Sequence, residues 1–371
     1  MNQFKGNVVF WAAFFLACLS AVWVRPSADY VSYIDFRVLS LLFCLMVVIG
    51  GFRAAGAFEH IMQFLLQLLG DTRQMAGVLI FSAFFLSMAV TNDVSLIVLV
   101  PFSLLVFQRT GHTELLIPVI VMQTVAANLG SMMTPVGNPQ NLYLYLVSHM
   151  ALGDFILLLL PYTGVSFILL LLSLFFIPRH TLRPMAWSEA GHIQAYPRWK
   201  ILFLAALFVL CLLTVVRVID YKITLIIVLL AVLAVERKLI GNVDYMLLLT
   251  FVAFFIFVGN MRHIPLISNF LISHTAGNEF LVSLIASQFI SNVPAAVLIS
   301  GFTEEYAGVL IGTDIGGLGT IVASMASLIS YNYYCAYGRP QRGLYLTWFT
   351  AVNLLFLLIL LPCVWLIYGF V

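Results

Sequence analysis

Thr91, Asn92 and Asp93 are the residues best placed to do chemistry, because they stand at the middle of an apolar run from Gly77 to Phe107. An ionisable side chain inside hydrocarbon costs a few kcal/mol or more, so such residues are rare and mark substrate or ion paths. Asp93 therefore reads as a proton carrier or a substrate contact, against the plainer reading of a buried pair with an Arg. Ser291-Asn292-Val293 interrupts a second apolar run, 280–302, in the same way. Asn92 and Asn292 recur at matching positions, where both a cap and a ligand role fit.

Two further clusters are breaks in helical patterns. Gly130, Pro135, Gly137 and Pro139 fall among Asn128, Ser131, Thr134, Asn138, Gln140 and Asn141. A regular helix cannot persist there. Its unpaired carbonyls, with the Ser, Thr and Asn oxygens, suit a desolvated Na+. The N–H groups freed at a half-helix start suit an anion. The alternative is a kinked helix whose polar groups satisfy one another. The second break carries Asp314, Gly316, Gly317, Gly319 and Thr320, without proline. Asp314 is either an ion ligand or proton carrier, or a residue at a helix start facing water.

Other polar residues read more plainly. Arg53 and Arg262 follow glycines at span ends and are expected to snorkel to the interface. Glu304 and Glu305 are expected to face water. The seven histidines sit near span ends, and the five cysteines are dispersed in apolar runs without C-x-x-C spacing, so no metal beyond Na+ and no disulfide framework is expected.

The elements that must position these residues are membrane helices. The chain is 63% hydrophobic and 9% charged, with a mean hydropathy of +1.09, a composition no soluble domain of this size needs. Spans are predicted at 7–24 (a retained helix rather than a cleaved leader), 38–54, 155–177, 201–216, 223–235, 245–260 and 344–369. An amphipathic lead-in is expected at 57–70 and another at 263–274. As one helix, 77–107 would be about 46 Å long against about 30 Å of hydrocarbon; folded at Thr91-Asn92-Asp93, each limb is about 22 Å and too short to cross. That predicts a re-entrant hairpin, tolerated only where protein or a water-filled cavity surrounds it.

The two halves are similar to one another. Ser87 to Asp93 lines up with Ser287 to Val293, Asn128 to Val136 with Asp314 to Val322, and Gly51-Phe52-Arg53 with the stretch Gly259 to Arg262. The fold class is therefore an all-α membrane protein: an inverted structural repeat with about nine transmembrane helices, two re-entrant hairpins and two broken helices. The first repeat is 1–177, with hairpin 77–107 and broken helix 115–148. A cytoplasmic loop covers 178–200. The joining helix and second repeat occupy 201–371, with hairpin 280–302 and broken helix 308–335. If neither hairpin crosses and the N-terminus is cytoplasmic, twelve of the 17 Lys and Arg residues lie inside and five outside. If both cross, the split is eight against nine, so the positive-inside rule favours re-entry. The C-terminus is then periplasmic. Inverted repeats with broken helices are an architecture of secondary transporters, with the site where the repeats meet.

At these residues the chain resembles the ion transporter superfamily: sodium-coupled dicarboxylate and sulfate symporters, citrate–metal permeases, arsenite permeases and a class of sodium/proton antiporters. The resemblance covers nearly the whole chain and looks nearest to small bacterial inner-membrane anion permeases. It implies an elevator-type carrier, a homodimer, with a small anionic substrate, the lipid bilayer as surroundings, no nucleic acid partner, and no cofactor other than Na+ as a coupling ion. Carried over by position, Thr91 and Asn92 match one substrate-holding tip, and Ser291 and Asn292 the other. Asp93, Asn138 and Thr320 complete the expected substrate set. Ser131, Thr134, Gly137 and Asn138 would serve a first ion site, and Asp314, Gly316 and Gly317 a second. Asp93 and Val293 depart from the Thr of the symporters. An Asp beside the substrate repels a dianion unless it is protonated or paired with a cation, and it is closer to the arsenite permeases and antiporters.

The expected function is secondary active transport of a carboxylate or inorganic oxyanion coupled to Na+ or H+. The alternative on the same scaffold is metalloid efflux or Na+/H+ exchange. A channel needs a continuous polar pore, whereas the polar residues fall mainly at two midplane breaks. An intramembrane protease is disfavoured because no Gly-x-Gly-Asp, H-E-x-x-H or G-x-S-x-G pattern occurs, so no enzyme is expected.

Overall fold

The computed structural model describes residues 8–58, 62, 70–182, 197–337 and 341–369. Most of the 57–70 lead-in and much of the 178–200 loop, with Arg183 and His192, lie outside the described residues, as do His60 and Arg339. Within them the chain is helical. Apart from one-turn pieces, the first half comprises α1 (Val8–Ser20), α2 (Phe36–Ala54), α3 (Thr72–Ala89), α4 (Asn92–Thr110), α5 (Leu116–Ser131), α6 (Pro139–Val147) and α7 (Leu152–Ser173). The second half comprises α8 (Arg198–Val215), α9 (Tyr221–Glu236), α10 (Tyr245–Arg262), α11 (Pro265–Thr275), α12 (Glu279–Ile290), α13 (Asn292–Ser300), α14 (Tyr306–Ile315), α15 (Met325–Ala336) and α16 (Arg342–Ile367). Among the described residues, eight helices are long and apolar enough to cross a membrane. Helix α16 is only 22% buried over its apolar window. Its outward Leu358, Trp365 and Leu366 are therefore suited to lipid rather than to a protein neighbour.

Several helix starts are capped by acids. Asp35, Asp71 and Asp244 accept from backbone N–H groups one turn on, Asp71 from Gln74 at 2.8 Å. The Asp71 cap makes the polar stretch Thr72-Arg73-Gln74 the first turn of α3, and Gly111, at φ 79°, closes α4. The first hairpin is therefore longer than predicted: 72–110 rather than 77–107. Its limbs have 18 and 19 residues, about 27–29 Å each. The expectation that each limb is too short to cross is overturned.

Contacts turn the chain back instead. Ser95 Oγ donates to the Ala83 carbonyl at 3.4 Å. Deeper in the hairpin, Gln123 of α5 accepts from Ser103 at 3.0 Å and donates to the Leu79 carbonyl at 3.1 Å, holding both limbs at one level. The second hairpin is shorter, with limbs of 12 and 9 residues. Thr303 Oγ1 donates to Glu279 Oε1 at 3.0 Å across its mouth. A straight helix would hold those residues about 36 Å apart.

The two mouths lie at opposite ends of the bundle. Arg217 donates to the Tyr145 and His149 carbonyls at 2.8 and 3.0 Å, so the α6–α7 and α8–α9 connections share one end. Lys200 meets Glu236 at the other, where α8 starts and α9 finishes. Arg73 Nε donates to the Ile177 carbonyl at 2.9 Å, just past α7, which places the first mouth at this second end. Helix α10 starts there too, soon after α9. It runs back to Arg262, whose Nε donates to the Gly301 carbonyl at 2.6 Å, at the second mouth.

Candidate functional site

The repeat register is written in paired hydrogen bonds. The Asn92 N–H donates to the Gly137 carbonyl at 3.0 Å, and the Asn292 N–H to the Ala323 carbonyl at 2.9 Å. Thr134 Oγ1 donates to the Met88 carbonyl at 2.5 Å, and Thr320 Oγ1 to the Gln288 carbonyl at 2.9 Å. Each pair links equivalent positions, so each tip is pinned to the break of its own half. The glycines let the backbones approach. A Cβ at Gly130 would overlap the Phe84 carbonyl, and one at Gly316 would crowd Leu284 Cα. Ser291 forms the second tip at φ 73°, ψ 156°, a region that costs a non-glycine residue of order 1–3 kcal/mol and collects at functional turns.

Between the halves, Asn128 Oδ1 accepts from Asn92 Nδ2 at 2.9 Å and from Ser324 Oγ at 3.1 Å, while its Nδ2 faces the Gly317 carbonyl at 3.4 Å. One carboxamide thus joins the first tip to the second break. The starts of α4, α6, α13 and α15 all gather around these bonds. The N-cap positions of α6 and α15, Asn138 and Ser324, make no side-chain cap. The first residue of α6, Pro139, has no N–H, and in α15 the Ser327 N–H donates to the Ser324 carbonyl at 3.1 Å, so what these starts offer a ligand is chiefly the partial positive charge of a helix N-terminus.

A cavity of about 480 Å³ opens onto three of these starts. Thr91, Asp93 and Val94 line it from α4, Asn138 and Pro139 from α6, and Met325 from α15. Arg53, Asn242 and Asp244 close the wall at the ends of α2 and α10, over an apolar floor that includes Leu42, Leu45 and Ile49. Among the described residues, its charged lining is one Arg and two Asp. A small anion would find an apolar chamber, helix N-termini and a guanidinium. It would also meet two carboxylates, which admit it only with a proton or a cation.

Of the predicted substrate residues, Thr91, Asp93 and Asn138 line this cavity and the others do not. Asn92, Ser291 and Asn292 are buried behind it in the tip bonds. Thr320 is exposed beside Gln288. Ser131 is buried and takes a 2.7 Å bond from Asn138 Nδ2. Thr134 and Gly137 brace the first tip, and a Cβ at Gly137 would overlap the Ser131 carbonyl. Asp314 is buried within the protein rather than facing water, and it lies across the repeat boundary from α6, where Gln140 Nε2 donates to its Oδ1 at 3.4 Å. Gly316 and Gly317 follow it at the second break.

Arg53, expected simply to reach the interface, lines the cavity while remaining exposed. Asp244 went unmarked in the sequence because an acid before a helix reads as a cap, and it does cap Leu247 at 3.1 Å. Only its position on the cavity wall gives it a second role.

Residues 8–307 match the profile of the citrate transporter family, CitMHS. An uncharacterized transporter of Methanocaldococcus jannaschii is 32% identical over 300 residues, 80% of each chain. Inner membrane protein YbiR of Escherichia coli is 28% identical over 304 residues, 80% of this chain and 79% of the relative. The silicon efflux transporter LSI3 of Oryza sativa subsp. japonica is 35% identical over 140 residues, 37% of this chain and 28% of the relative.

Proposed function

The chain belongs to the citrate transporter family, and from that premise we propose that it is a secondary active carrier for a small oxyanion, coupled to Na+ or H+. It is a multi-pass membrane transport protein and not an enzyme. The observation that carries the finer reading is the cavity onto which three helix starts and Arg53 open. The anion is held by the positive ends of α6 and α15 and by the guanidinium. Asp93 takes up the coupling proton or faces the coupling cation, which removes the repulsion that a bare carboxylate would impose. On this reading the two pinned tips move with their breaks as one elevator body. The protein is a homodimer in a bacterial inner membrane, with a cytoplasmic N-terminus and a periplasmic C-terminus.

Proteoliposome uptake of labelled citrate, other small carboxylates and inorganic oxyanions, under imposed Na+ or pH gradients, tests the reading. Accumulation driven by one gradient is expected; uptake of every anion that ignores both gradients would overturn coupling. A second reading is efflux of a weak oxyacid in its neutral form. It is favoured by the two carboxylates in the cavity wall and by a relative that is a silicon efflux transporter. Growth of a pump-deficient host under arsenite or high silicic acid, with and without the protein, separates the two.

A further inference from the structure

The cavity has an exposed rim at one end of the bundle. Arg53 and Ala54 at the end of α2, and Gly241 and Asn242 before α10, line it and are exposed. Both pieces lie at the end that carries the first mouth, where α10 starts, and a Cβ at Gly50 would meet Asn242 at 3.5 Å. Leu42 stands eleven residues before Arg53 on α2, about 16 Å deeper. It lines the cavity and is buried, as are Val136 and Leu142. Beyond them α6 fills the way to the opposite end. It starts at the cavity with Pro139, is buried from Pro139 to Leu146, and packs on α13, where Tyr143 OH and Ser300 Oγ lie 2.9 Å apart.

The far end of α6 is tied to the second half by Arg217, in the α8–α9 connection. Its Nη2 and Nη1 donate to the Tyr145 and His149 carbonyls at 2.8 and 3.0 Å, and its guanidinium lies over the Tyr145 ring at 4.9 Å. Several features make this a tie that can be undone. Its acceptors are carbonyls, and among the described residues no acid pairs with it. Its buried Nε has no hydrogen-bond partner. Arg217 is half-buried, so water can replace the carbonyls. Arg217 at φ 65° and His149 at φ 54° both hold left-handed backbone, which L-residues enter at a cost and which collects at switching sites. We propose that Arg217 is a clasp that shuts the far side of the cavity. It is set, as here, while the cavity opens at the end of the first mouth. It is released when α6 shifts and the cavity opens at the other end.

The proposal rests on reading the chain as a carrier, which must keep one end shut while the other is open. Its test needs no substrate. In the full-length protein without its native cysteines, Leu42→Cys reports on the inner end of the cavity. Val218→Cys, exposed beside Arg217, marks the face that carries the clasp. A membrane-impermeant maleimide is added to intact cells or to inverted vesicles. With Arg217 in place, Leu42→Cys should react faster from the face opposite Val218. Arg217→Gln should raise its rate from the Val218 face roughly tenfold or more, through the loss of two bonds from a charged donor. Arg217→Lys keeps the cation but not the fork and should fall between. Val48→Cys, buried in α2 away from the cavity, should stay unreactive throughout. Equal Leu42→Cys rates from the Val218 face with Arg217 and with Gln overturn the proposal. So does a rise shared by Val48→Cys, which is general loosening, and so does a Leu42→Cys protein that reacts equally from both faces with Arg217 in place. Should Arg217→Gln fail to fold, Arg217→Lys decides by the same comparison. Unchanged labelling beside gradient-driven uptake strikes the clasp and keeps the carrier.

Discussion

At the scale of single residues, the proposed carrier divides the work of the cavity between Asp93 and Arg53. Asp93 is partly exposed on its wall and Arg53 sits at the end of α2 opposite. Replacing Asp93 with Asn removes the group that can change charge, so proton-driven transport should be lost and the pH dependence of any residual uptake should flatten; a variant with the wild-type pH profile removes Asp93 from coupling. Arg53→Gln removes a charged contact worth about 1.5–3 kcal/mol, so the KM for the anion should rise roughly tenfold to a hundredfold with little change in expression. Uptake at graded anion concentrations checks this, and an unchanged KM places the guanidinium outside the substrate path. Asp93 was legible in the sequence because a carboxylate amid apolar residues has few cheap explanations. Arg53 was not, because a basic residue at a span end has a cheap one in snorkelling. Gln140 and Asn141 were visible as part of a polar break, but no sequence argument could place Asp314 beside them, since the neighbours belong to different halves.

At the scale of elements, the hairpins are held by polar side chains between apolar helices. Gln123 serves both limbs of the first hairpin from within α5, where every residue but Pro118 is buried. Gln123→Leu should leave Ser103 and the Leu79 carbonyl without those bonds, at about 1–3 kcal/mol, and lower the melting temperature. The second tip offers the opposite case. Ser291→Gly relieves a backbone position that glycine adopts freely, so it should raise stability if the Ser hydroxyl, which faces Asn292 and the Ala323 carbonyl at 3.3 and 3.4 Å, contributes less than the strain. A melting comparison reads the sign directly. The hairpins themselves were anticipated through their polar tips and the charge asymmetry, not through limb length, and the length argument failed for a local reason. Thr72, Arg73 and Gln74 look like loop residues, yet the Asp71 cap turns them into a helical turn. Capping is decided by one side chain, and hydropathy averages over many.

At the scale of the whole molecule, the two mouths at opposite ends give a test that does not depend on substrate. Glu279 and Thr303 touch across the second mouth. With the five native cysteines replaced, Cys at both positions should crosslink with a short bifunctional reagent in membranes; a pair that never crosslinks while each label reacts singly would place 280–302 as one crossing helix. The inverted likeness of the halves was readable because equivalent backbones must meet at equivalent glycines and threonines, and those residue types survive in the sequence. Where the halves touch one another was unreadable, because the contacts there, such as Thr124 Oγ1 to Ser330 Oγ at 2.8 Å, have no counterpart in register. Asn128 is such a contact, and its single oxygen serves a donor from each half. Cutting that shared latch, as in Asn128→Ala, should let one gate slip without the other. The symptom would be ion leak without cargo: a liposome that dissipates its gradient in the absence of any anion to carry.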